Sequence, residues 1–73
     1  MNRTMLTEHL AQAEEHVALG NRHIVRQREL IAELARDGHD TAEAKTLLAS
    51  FEEMQTLHLQ HRDRLRHELA RNP

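Results

Sequence analysis

The stretch Arg36-Asp37-Gly38-His39-Asp40-Thr41-Ala42-Glu43 sets a helix stop beside a helix start, in a chain whose only proline is Pro73. Gly38 suits the left-handed position just past a helix end, where a side chain would clash. Asp40 reads as an N-cap whose carboxylate accepts from the next free amides. Glu43, three residues on, is placed to reach back to the Asp40 amide and complete a capping box. From Thr4 to Ala70 the chain outside this turn is free of helix breakers except Gly20, and the second helix is expected to stop near Asn72 and Pro73. The expectation is an all-α, antiparallel two-helix hairpin of one domain, with helix one over about 5–37, a turn at 38–40 and helix two over about 41–70.

The periodicity of the first half supports this. From Thr4, a serviceable N-cap, the rows Leu10, Val17, Ile24, Ile31 and Leu6, Ala13, Gly20, Gln27, Leu34 each recur every seventh residue, as in a coiled-coil seam. The second row is small or polar through its middle, so something bulky should fill the gap there. A glycine inside a helix costs about 1 kcal/mol relative to alanine, and Gly20 is read as admitting a close approach from the other helix rather than as a kink. In the second half the expected stripe is Leu47, Phe51, Met54, His58, His61 and Leu65, flanked by Ala44, Leu48 and Leu69.

With one helical rise per residue on either side of the turn, facing residue numbers add to about 78. That register sets Gly20 against His58, Ala13 against Leu65, Val17 near His61, Gln27 near Phe51 and Ile31 near Leu47. It also brings Glu8, Glu14 and Glu15 level with the arginines of helix two, and Arg22, Arg26 and Arg28 level with Glu52 and Glu53. Gly20 and Phe51 are therefore the expected packing residues between the helices.

Composition bounds the rest. Seventy-three residues without cysteine, with one aromatic of the Phe, Tyr and Trp class, rarely bury enough apolar surface to be comfortable alone. The apolar residues also spill past a two-row seam, so a homodimer forming a four-helix bundle is expected, with Leu30, Leu48 and Leu57 at the contact. Binding of another protein through a helix face is the alternative. A formal net charge of −2 gives no reason to expect nucleic acid. No apolar run approaches a membrane span, and the first residues do not open a targeting segment, so a cytoplasmic location is the default.

Seven histidines are the one compositional oddity. His9, His16 and His23 form a row spaced by seven, about 10.5 Å apart along the axis and too far to share an ion among themselves. His58 and His61 are an i, i+3 pair, and the expected register brings His16 to their level. Two readings stay open: half-buried histidines bridging core and solvent, or a zinc or other transition-metal or proton-sensing site made of His16, His58 and His61. No Glu-x-x-His occurs, which argues against a di-iron carboxylate bundle. No nucleophile elbow or phosphate loop is present, so no catalytic or cofactor-binding residue is expected and the chain reads as a structural or interaction module.

The run from His23 to Leu34, followed by Asp37-Gly38-His39-Asp40-Thr41, Leu47-Leu48, Phe51-Glu52 and His61-Arg62-Asp63-Arg64-Leu65, resembles a family of short uncharacterised alphaproteobacterial proteins. The resemblance covers most of the chain. It implies a bacterial cytoplasmic protein and contributes no activity and no site residue.

Overall fold

The computed structural model describes residues 2–71. Two helices, α1 (Arg3–Arg36) and α2 (Ala42–Arg71), fold back on one another into a rod 55 Å long and 14 by 13 Å across. The expected hairpin is what forms, and its ends differ from expectation only in detail. Asn2, not Thr4, caps α1: its side-chain oxygen accepts from the Met5 amide at 2.8 Å, so the helix begins two residues earlier.

Gly38 ends α1 as its backbone freedom predicts. It sits at φ 74°, its amide donates to Ala35 O at 3.2 Å, and the His39 amide donates to Leu34 O at 2.9 Å. This is the paired bonding of a Schellman stop. Asp40 receives the Ala42 amide at 2.9 Å, while Thr41 O accepts from Lys45, so α2 starts one residue later than expected. No hydrogen bond joins Glu43 to the Asp40 amide among the described residues, and the box does not close. The expected stop near Asn72 and Pro73 lies outside the described residues.

The α1 seam is the one its periodicity indicates: Leu6, Ala13, Val17, Ile24 and Gln27 are buried, and Gly20 is half-buried between them. The α2 seam is rotated from its expected position. Only Gln55 and Leu65 are buried there, whereas Leu47, Met54 and His61 are exposed. The contacting rows are Ala44, Phe51, His58, Leu65 and Leu48, Gln55, Arg62, Leu69, a strict alternation of three- and four-residue steps with polar side chains at its centre. Periodicity counted on apolar residues alone passes over Gln55 and Arg62 and so lands one row off.

The register is corrected with it. Gly20 meets Gln55, not His58; Gln27 bonds Ala44 rather than packing on Phe51, which His23 meets instead; and Val17 is bonded by Gln55 rather than lying against His61. Facing numbers cluster near 75. His39, Asp40 and Thr41 lie outside both helices, so one helical rise per residue does not carry through the turn. Leu6, Ala13 and Leu65 still form one buried cluster with Leu10 and Leu69 packed against it, at the end away from the turn.

Two glutamines, one from each helix, bond reciprocally across the seam. Gln27 Nε2 of α1 donates to Ala44 O of α2 at 2.9 Å, and Gln55 Nε2 of α2 donates to Val17 O of α1 at 2.8 Å and to Asn21 Oδ1 at 2.9 Å. A slip of either helix would strip buried amides of these partners, at about 1–3 kcal/mol each.

Candidate functional site

The helix geometry that builds the seam also divides the surface of the rod into two unlike sides. One edge is ionic: Glu14 pairs with Arg66 at 3.6 Å and Arg28 with Glu52 at 4.0 Å. These are two of the expected cross-helix pairings. Both are exposed, so they add about 0–1 kcal/mol apiece and chiefly favour this orientation. Arg26 departs from expectation by pairing within α1, with Glu29 and Glu33 at 3.5 Å each. Arg62 bonds Asp63 through Nε at 3.1 Å and through a terminal nitrogen at 2.9 Å, so the densest basic stretch is partly neutralised.

The opposite edge is apolar and rich in imidazole. His16, Leu19 and His23 of α1 and Phe51, Met54 and His58 of α2 line a groove of about 170 Å³ with Gly20 and Gln55 at its floor. Small-molecule sites start near 300 Å³, so this groove fits a side chain or two rather than a drug-sized ligand. His9, Gln12, His16 and His61 line a second groove further along the same edge. Leu47 is one heptad before Met54, Leu57 lies between Met54 and His61 at three- and four-residue steps, and Met5 is four residues before His9. Among the described residues, the strongly exposed large apolar side chains are Met5, Leu19, Val25, Leu47, Met54 and Leu57. All but Val25 fall in the helix rows beside the histidines, and Leu19 and Met54 meet at the middle of that edge in an apolar patch.

Of the contact residues expected from sequence, Leu57 is 58% exposed and lies on this face. Leu30, half-buried, continues the His9, His16, His23 row at its edge; Leu48 is half-buried inside the hairpin seam and is spent on the intramolecular contact. Leu19 and Met54, which were not singled out as contact residues, stand at the middle of the face. Their signal was the surplus of apolar rows beside the seam, legible only once the seam itself is placed.

The three candidate ligands are only partly brought together. The rings of His16 and His58 lie 5.4 Å apart, centre to centre, with planes tilted by 46°. His61 is displaced to the second groove, with Nδ1 3.5 Å from an Arg64 guanidinium nitrogen. Among the described residues no three His, Asp or Glu side chains converge closely enough to hold a metal ion. His23 stacks on Phe51 at 5.8 Å instead.

Four of the six hydroxyls are engaged with backbone. Thr7, Thr46, Ser50 and Thr56 each donate to the carbonyl four residues earlier, at 2.9 to 3.4 Å. None is paired with a histidine that would activate it. No helix among the described residues is long and apolar enough to cross a membrane. No protein-family model matches the chain, and no curated protein and no solved structure matches it at a significant level.

Proposed function

We propose that the protein is a small helical interaction module that works as a homodimer in a bacterial cytoplasm and carries no catalytic activity. Two hairpins bury their histidine-and-leucine faces against each other to form a four-helix bundle. The observation that carries this reading is the gathering of Met5, Leu19, Leu47, Met54 and Leu57 on one edge while ion pairs occupy the other. The surface area agrees. The hairpin exposes 5484 Å², whereas a compact monomer of 8.5 kDa exposes about 4,700 Å². The excess of about 800 Å² matches what one partner buries in a standard protein interface.

A second copy is the favoured occupant because the middle of the face is apolar and lined with imidazoles, and so needs no partner of opposite sign. The test is sedimentation equilibrium at micromolar concentration on the parent and on Met54→Glu and Leu57→Glu. The parent should be a dimer, and each glutamate should shift it toward monomer without loss of helicity at higher concentration. A well-folded monomeric parent at micromolar concentration would overturn the reading.

A further inference from the structure

We propose that His16 and His58 are one half of a transition-metal site that a second copy of the chain completes with the same two residues. The inference rests on the dimer reading above and adds to it a ligand of stated chemistry: a divalent ion that favours imidazole, such as zinc.

The pair has the spacing such a site requires. Two imidazoles on one tetrahedral zinc, with metal–nitrogen distances of about 2.0–2.1 Å, hold their ring centres about 5 Å apart. Those of His16 and His58 are 5.4 Å apart and tilted by 46°, splayed rather than stacked flat. Neither ring donates to or accepts from a protein group among the described residues, and neither pairs with a carboxylate. Their nitrogens are left for an outside ligand. Both rings line the open groove beside Leu19 and Met54, at the middle of the apolar face.

One chain supplies two donors and no more. No third His, Asp or Glu side chain converges with them among the described residues, and two imidazoles leave a tetrahedral ion half-coordinated. His61 is left out of the ligand set because it does not line the groove shared by His16 and His58 and its Nδ1 faces an Arg64 guanidinium nitrogen at 3.5 Å. The missing pair is available by symmetry. His16 is about 5 Å from the midpoint of α1 along the axis, so a twofold passing beside it staggers two antiparallel rods by only about 10 Å of their 55 Å length. Four neutral imidazoles then surround one ion at the centre of the interface, and the donor set suits zinc, copper or nickel rather than magnesium or calcium.

The experiment is a zinc chloride titration of the full chain. Native mass spectrometry and calorimetry give stoichiometry and affinity, and sedimentation equilibrium with zinc or with a chelator reads the dimer. The expected result is one zinc per two chains, a dimer dissociation constant tightened about tenfold or more by zinc, and loss of both effects in His16→Ala and in His58→Ala. His39→Ala in the turn and His61→Ala should bind zinc as the parent does. His16 is exposed, so its variant stays folded, and helicity measured without metal checks both variants. A chelated parent that is still a dimer but takes up no zinc overturns the metal site and leaves the dimer standing. Zinc bound one per chain to a monomer overturns both, and zinc uptake unaffected by loss of either His16 or His58 overturns the assignment of ligands.

Discussion

Gly20 is where a single residue decides how closely the helices approach. A β-carbon there would fall inside the envelope of Gln55 Oε1 and 2.6 Å from Gln55 Cδ, and the Gln55 amide is held in place by Val17 O and Asn21 Oδ1. Its Oε1 is buried with no hydrogen-bond partner and rests against the glycine, so the close contact is retained for the sake of the two bonds on Nε2. Gly20→Ala should therefore destabilise the fold by about 1–2 kcal/mol, even though alanine gains about 1 kcal/mol in helix propensity. Urea melts of parent and variant at one fixed protein concentration check the sign; a variant that melts later would mean that Gln55 swings out at no cost. The need for a small residue at 20 was legible in the sequence, because a lone mid-helix glycine is expensive unless something approaches it. The identity of the visitor was not, because a glutamine is ordinarily assigned to the surface.

At the scale of the helices, the turn chemistry of Gly38 and Asp40 announced the hairpin, and the sevenfold rows of α1 announced its inner face. The inner face of α2 was obscured because Gln55, His58 and Arg62 occupy its centre, while Met54 and Leu57, apolar but outward, imitate a seam one row away. Register was misplaced for a different reason: the three residues after Gly38 are not helical, so counting one helical rise for each of them misjudges the turn. Without polar anchors this helical hairpin has little to hold its register, since leucine layers one turn apart are nearly equivalent. Replacing both anchors, Gln27→Leu with Gln55→Leu, should leave helicity intact and stability within about 1 kcal/mol, yet let the helices slide. Spin labels introduced at the exposed Glu15 and Gln60, diluted with unlabelled chain, would report this as a broadened or shifted distance distribution. An unchanged narrow distance would show that the apolar layers fix the alignment unaided.

As a whole molecule the rod is a thin structure: two helices cannot enclose one another, and beyond the small cluster of Leu6, Ala13 and Leu65 few residues are buried. The histidine edge was foreseen only as an excess of apolar rows, since its position depends on the α2 seam that the sequence concealed; the pairing of His16 with His58 emerged once the register was known. The association proposed for that edge would make thermal stability depend on concentration, so the melting temperature should rise over a hundredfold increase in protein. The two crossing glutamines also differ in how much chain they enclose. Gln27 meets Ala44 across 17 residues, and Gln55 meets Val17 across 38. Loop-closure entropy favours the shorter loop, so a chain that zips outward from Gly38 forms the Gln27 bond first and commits to its alignment while most of both helices is still unpaired. Stopped-flow refolding should show Gln27→Leu slowing the folding limb and Gln55→Leu acting mainly on unfolding. The glutamine nearer the turn thus acts as a proofreading step in time, rejecting misaligned chains before the distant leucines at 6, 65 and 69 can trap them.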